Sequence, residues 1–382
     1  MKNYKSLIFL GLISFCLTAC GEKTPKEVNF TLNELSANID IHTDEQKAYL
    51  HASDPNAYVD EHSSELANAS KSAPKGVKFS WEYKSDNGAK PKDFTLSFKE
   101  KSSGDVYSVN VESSPATVYN FKLGEEYSWN VSANYKGASF KSEDSSFSIS
   151  GADPIRNIYI EGLENVRDCG GWTLANNKTY KQGMLYRTCE FNSAKTNPFA
   201  SLTDNGKNVL LNQLKIKSEI DLRKTLESNN DDEVNGITSS PLGETINYIS
   251  CPMVFSQSNI YTRSENKDSL KRFFESLAVE SNYPIAFHCV RGTDRTGGLA
   301  YVLGALLGMD ETDLMRDYLF SNFANIKSNP IKAGNIDRNS FYIVGMSKCE
   351  GDTPMERARN YLIENTGVSG ETLDTIVSIL TE

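Results

Sequence analysis

The run "YPIAFHCVRGTDRTGGLAYVLGALLGM", residues 283–309, constrains the fold more than any other part of the chain. Its first seven residues are almost continuously apolar, as in a strand buried on both faces, and such strands belong to parallel sheets covered by helices. From Thr296 onward the pattern is that of a mostly apolar helix ending near Gly308, a residue able to take the left-handed turn that closes a helix. Between strand and helix lies a short polar loop, at the carboxyl end of the strand where open α/β sheets bind ligands. The neighbouring segments continue the alternation. "KIKSEIDLR" (215–223) reads as a strand, residues 264–280 place Leu270, Phe273, Phe274, Leu277 and Ala278 at helical spacing, and "DETDLMRDYLF" (310–320) opens a helix capped by Asp310. An α/β domain with a central, mostly parallel sheet flanked by helices is expected over residues 151–382.

The loop suits a tetrahedral oxyanion. Cys289 opens it and Arg295 closes it, so the N–H groups of Val290, Arg291, Gly292, Thr293, Asp294 and Arg295 can face inward as a nest backed by a helix N-terminus. Gly292 allows the tight turn, and Arg295 adds a planar fork that bonds two oxygens at once. Cys289 feels the same field: a thiol among such donors is expected to ionise well below its ordinary value of about 8.5, which makes it a nucleophile beneath a bound phosphate. His288 is expected to orient the loop through a hydrogen bond, and Thr296 to give its hydroxyl to the sulfur. Asp294 is the candidate to protonate a leaving oxygen, with Asp221 the runner-up; turn bonding for Asp294 and loop support for Asp221 are the competing roles. This chemistry needs no metal and no cofactor. His288 is the one histidine after residue 62, which argues against zinc and serine–histidine hydrolases.

"HCVRGTDRTG" resembles the His-Cys-x5-Arg-Thr/Ser-Gly signature of cysteine-based protein tyrosine phosphatases. "NVRDCGGW" (165–172) is similar to the Asn-Phe-Arg-Asp-Leu-Gly-Gly opening of a bacterial branch of that family, "GMLYRTCEF" (183–191) to its Leu-Tyr-Arg-Ser stretch, and "LTDNGKNVLLNQLKIKSEIDLR" (202–223) to its helix and Ile-Asp-Leu-Arg strand. The resemblance implies hydrolysis of phosphomonoesters through a phosphocysteine at Cys289, on protein phosphotyrosine or with dual specificity. An inositol phosphate or phosphoinositide phosphatase is the alternative, and a non-catalytic binding or adhesion protein a further one. Family members often carry Ala-Gly-Lys where this chain has Arg291, Gly292 and Thr293, a departure that argues against phosphoinositide preference although Arg291 replaces part of the charge. Arg167 with Asp168, and Arg187, are read as structural ion pairs.

The first half is organised differently. Short alternating runs at 77–83, 94–100, 106–112, 127–135 and 146–150, separated by turn signals such as "SDNGAKP", predict an antiparallel sandwich within residues 28–150. Through "LGEEYSWNVSANY", roughly residues 75–150 resemble a fibronectin type III module. Residues 28–73 are expected to add an edge strand and an irregular or helical lead-in, and His42, His51 and His62 to be solvated at the surface. "MKNYKSLIFLGLISFCLTAC" has the charged start, short apolar stretch and small-residue close of an export signal, and "LTAC" resembles the bacterial lipobox. Residues 1–19 are expected to be cleaved, leaving Cys20 as a lipid anchor and residues 20–27 as a tether in the cell envelope, at the outer membrane or periplasmic face; an ordinary secretory signal with a chance cysteine is the alternative. Export would permit disulfides among Cys169, Cys189, Cys251 and Cys349, against which stand buried free thiols. A net charge of -10 argues against a nucleic-acid or anionic-membrane surface but leaves a phosphorylated protein or small phosphomonoester open.

Overall fold

The computed structural model describes residues 23–66, 73–193, 200–224, 234, 236–254, 264–325 and 345–382. The expected signal and Cys20 lie outside them. In the first half the elements are β1 (Val28–Leu32), α1 (Asp44–Leu50), α2 (Pro55–Leu66), β2 (Val77–Phe79), β3 (Trp81–Ser85), β4 (Asp93–Glu100), β5 (Val106–Val111), β6 (Ala116–Val118), β7 (Glu126–Tyr135), β8 (Ala138–Lys141) and β9 (Ser145–Ser148). An antiparallel sheet runs β5-β4-β7-β8 with β9 also on β7, while β1 pairs with β3 and β2 with β6. Alternation does the folding here: Phe94, Leu96 and Phe98 of β4 and Tyr127, Trp129 and Val131 of β7 share one core with Val77 and Phe79 of β2. Trp129 and Phe79 meet edge to face with ring centroids 4.8 Å apart, a geometry that joins the large sheet to the smaller ladder.

Residues 44–66 depart from the expected division at residue 150. Tyr49, Leu50, Val59 and Leu66 of α1 and α2 pack into the core of the second half, where the Tyr49 ring lies 5.4 Å from Phe323 and its hydroxyl donates to the Arg316 carbonyl at 2.7 Å. His42 is buried and donates Nε2–H to the Ile155 carbonyl at 2.9 Å, so the expectation of a solvated histidine fails there. His51 does keep an exposed side chain, 2.6 Å from Asp153. The two short helices carry too few apolar residues for sequence periodicity to reveal which core they join.

The second half contains β10 (Arg167–Asp168), β11 (Leu185–Thr188), α3 (Asp204–Asn208), β12 (Ser218–Asp221), β13 (Asn247–Ser250), α4 (Ser264–Leu277), β14 (Ile285–His288), α5 (Asp294–Leu307), α6 (Glu311–Leu319), α7 (Pro354–Thr366) and α8 (Gly370–Leu380). Its sheet order is β10-β11-β14-β12-β13, antiparallel only between β10 and β11. This is the expected α/β arrangement, with β14 at the centre because every residue of "IAFH" tolerates burial. α5 closes on Gly308 at φ 99°, and Asp310 caps α6 by accepting from the Asp313 amide at 2.8 Å. Cys169, Cys189, Cys251, Cys289 and Cys349 are all free, so no disulfide staples this half. Among the described residues no helix is long and apolar enough to cross a membrane.

Polar contacts weld the halves together. Buried Arg156 donates Nε–H to the Phe121 carbonyl at 3.0 Å and Nη1–H to Asp168 Oδ2 at 2.9 Å. Gln182 exchanges two bonds with the Leu123 backbone, 3.0 and 2.9 Å. An exposed pair, Lys215 with Asp105 at 2.8 Å, adds to the seam. Removing one partner of a buried pair strands a charge, so Arg156→Ala should cost about 3–5 kcal/mol of stability in urea denaturation. Lys215→Ala should cost less than about 1 kcal/mol. Equal losses for the two variants would contradict this account of the interface.

Candidate active site

β14 delivers the loop to the middle of the sheet edge. Its last residue, His288, lies level with Thr188 of β11 and Asp221 of β12, and Cys289 follows at 3% exposure. Gly292 has φ +69°, and a Cβ there would sit 2.4 Å from the Thr188 carbonyl oxygen. Only glycine lets the loop turn and rest on the end of β11.

A cradle of N–H groups requires the carbonyls of the same peptides to point away, because a trans peptide is planar and holds the two groups on opposite sides. The structure provides a donor for each carbonyl. His288 O accepts from the Leu222 amide at 2.9 Å, Val290 O from the Glu190 amide at 3.0 Å, and Thr293 O from the Gly297 amide at 2.9 Å. Side chains supply the other two: Asn165 Nδ2 donates to Arg291 O at 3.1 Å and Arg187 Nη2 to Gly292 O at 3.0 Å. The amides of Arg291, Gly292, Thr293 and Asp294 therefore lie on the side of their peptides opposite these bonded carbonyls.

These two donors are themselves held. Arg187 Nη1 meets Asp317 Oδ2 at 2.6 Å, and Arg167 Nε meets Asp317 Oδ1 at 2.9 Å while its Nη1 donates to Asn165 Oδ1 at 2.7 Å. Burial pushes the Asp317 carboxyl up, but Arg167 and Arg187 outweigh it and leave the group below its ordinary value of 3.8. Arg167 and Arg187 thus do form ion pairs, but the partner is Asp317. Asp168 turns instead to Arg156.

His288 lies with Nδ1 3.2 Å from the Cys289 carbonyl and Nε2 2.9 Å from Glu219 Oε1. Asp221 is gripped by Arg223 through Nε and Nη2, at 2.9 and 2.7 Å, and accepts the Tyr248 hydroxyl at 2.9 Å. Those contacts hold the Asp221 carboxylate against Arg223 and Tyr248. Ligand atoms of Glu219, Asp221 and His288 lie within 4.8 Å of one another, close enough for a metal, yet the Arg223 guanidinium already neutralises Asp221. Arg295 Nη1 donates to the carbonyls of Leu222 and Met253, at 3.3 and 3.2 Å, which fixes the guanidinium plane at the loop's end. Thr296 Oγ1 is buried and bonds no partner among the described residues, so the expected contact with the sulfur is not made. Asp294 begins α5, and burial pushes its carboxyl up to about 6 against the pull of Arg295 and Arg291. Burial likewise pushes the thiols of Cys189 and Cys251 up to about 12, and Cys169 also upward, which makes them poor nucleophiles.

Sequence reasoning found the loop and missed its supports. Asn165, Glu219 and Asp317 were not singled out, and Arg187 was read without its link to the loop. One signal was available: an arginine in "LYRT" and a glutamate in "SEID" sit within strands buried on both faces, where a charge must find a partner.

Residues 158–382 match a family model described as the tyrosine phosphatase family. A Cupriavidus necator protein provisionally named a tyrosine-protein phosphatase is 24% identical over 196 residues, 45% of this chain. The match spans 66% of that relative's length, just under two thirds. Among solved structures, the core catalytic domain of the PP-IP phosphatase SIW14 from S. cerevisiae, in complex with citrate, is 20% identical with a TM-score of 0.28, covering 43% of this chain and 80% of that one. A Siw14 catalytic core is 17% identical with a TM-score of 0.30, covering 52% and 90% respectively.

Gly292→Ala should lower affinity for vanadate by tenfold or more in calorimetry while the fold survives, because the clash with Thr188 displaces the loop. Unchanged affinity would show that the loop does not need this seat.

Proposed function

The chain belongs to the tyrosine phosphatase family, and from that premise we propose that it hydrolyses phosphomonoesters through a phosphocysteine at Cys289. The observation that supports this reading is the set of loop carbonyls bonded outside the loop, which leaves the opposing amides for an oxyanion. Cys289 Sγ attacks phosphorus and the bond to the leaving oxygen breaks. The amides from Val290 to Arg295 and the Arg295 guanidinium stabilise the equatorial oxygens. Asp294 protonates the leaving oxygen, then takes a proton from the water that cleaves the S–P bond. A carboxyl near 6 is partly protonated around neutrality, as that role requires. Its carboxylate accepts no hydrogen bond among the described residues, which disfavours the alternative of a turn-bonding aspartate.

Phosphotyrosyl protein is the favoured substrate class, with dual specificity included. A polyanionic inositol phosphate calls for several available cations, whereas Arg156, Arg167, Arg187 and Arg223 are all paired with carboxylates. Residues 1–19 serve as an export signal, Cys20 as a lipid anchor in the cell envelope, and the fibronectin-like sandwich as a module that orients the catalytic half.

Two experiments test this reading. Turnover of an aryl phosphate should persist in chelator and vanish in Cys289→Ser, with vanadate or phosphate still bound; a variant that keeps its rate would exclude the phosphocysteine. For Asp294 the acid form is lost as pH rises through about 6, so kcat/KM on alkyl phosphates should fall above that pH. Asp294→Asn should flatten this limb and cost about 10²–10⁴-fold on alkyl phosphates while sparing activated aryl esters. Equal losses on both ester classes would reject the assignment.

A further inference from the structure

At one end of the sandwich, Lys23, Lys90, Lys92 and Lys136 converge on a cleft of about 520 Å³ shared with Thr24, Pro91, Asn134 and Tyr135. Its walls are the chain entry and two hairpin loops, tied together by three bonds: Asn87 Nδ2 to Lys23 O at 2.8 Å, Thr24 Oγ1 to Lys136 O at 2.5 Å, and the Lys26 amide to Asp86 Oδ1 at 3.1 Å. Among the described residues no carboxylate lines the cleft. In the three wall segments, residues 23–27, 86–92 and 134–137, the acids are Glu27 and Asp86, with Glu22 and Asp93 flanking them in sequence; Asp86 accepts from the Lys26 backbone amide, Glu27 from Asn29 at 3.0 Å and Asp93 from Asn134 at 2.7 Å. None of the four lysines has an ion-pair partner among the described residues. On a chain of net charge -10, such a patch is a local reversal of sign.

Its location identifies the partner. Lys23 follows Cys20 by three residues, a span of at most about 10 Å. We propose that this cleft is a membrane-docking surface for the anionic headgroups of phospholipids, which fixes the orientation of the molecule on the bilayer; the idea rests on the lipid-anchor reading above. An acyl anchor alone leaves the domain free to tumble about its tether. Four lysines within the headgroup layer add the electrostatic second contact that lipidated proteins use. The bonds joining Lys23, Thr24 and Lys26 to the hairpins hold the exit of the chain and the basic cleft on the same face.

The mature chain bearing Cys20→Ser separates the two ideas, because it lacks the lipid and keeps every described residue. It should sediment with vesicles of phosphatidylcholine containing phosphatidylglycerol at least tenfold more strongly than with phosphatidylcholine alone, and the difference should collapse at high salt. Charge reversal by Lys90→Glu, Lys92→Glu and Lys136→Glu should abolish the preference. Lys78→Glu, Lys99→Glu and Lys141→Glu, with the same change in net charge on other surfaces, should leave most of it. Equal binding to both vesicle types, or equal loss in the two triple variants, overturns the proposal. So does displacement by inorganic phosphate at concentrations that leave ionic strength unchanged, since it would mark a site for a soluble anion. Mass spectrometry of native Cys20 reports separately on the anchor.

Discussion

The outward carbonyls of the loop that follows β14 are the constraint on which the site depends. Four consecutive amides can converge on an anion only while Val290, Arg291, Gly292 and Thr293 keep their carbonyls bonded elsewhere. Two of those bonds come from backbone and two from side chains that no strand ladder would supply. Arg187 and Asn165 therefore hold the loop from outside it. The price is a buried ionic cluster: Arg167 and Arg187 share the single carboxylate of Asp317. The guanidinium that holds the Gly292 carbonyl is thereby itself held by a carboxylate.

The same short strand connects this cluster to the rest of the molecule. Successive residues of a strand point to opposite faces, so Arg167 reaches Asp317 and the loop side while Asp168 reaches Arg156 and the seam with the sandwich. Asp168 also accepts the Gly170 amide at 2.9 Å and the Gly183 amide at 2.6 Å, which fixes the turns on either side of β10 and β11. The first half is thus attached one residue away from the loop's support. With α1 and α2 buried in the second core as well, the sandwich is a fixed part of the catalytic body and not a module on a loose string.

How much of this was legible follows from the physics of each feature. The central strand, the loop and α5 were readable because apolar continuity, a glycine and a helix stop occur in one unbroken stretch. The sandwich strands were readable from alternation. Partners distant in sequence were not: Asp317 meets Arg187 across 130 positions, and Asn165 meets Arg291 across 126. Nor was the choice between Asp168 and Asp317 for Arg167, since both are acidic and only the strand's alternation decides. His42 failed for the same reason, because its buried partner is a backbone carbonyl, which has no sequence signature.

A crystal structure with vanadate measures the central claim most directly. The account predicts vanadium bonded to Cys289 Sγ, with equatorial oxygens held by the loop amides and Arg295, and with Asn165 and Arg187 still on the carbonyls of Arg291 and Gly292. Vanadate bound away from the sulfur, or loop carbonyls turned toward it with Arg187 released, would contradict the account.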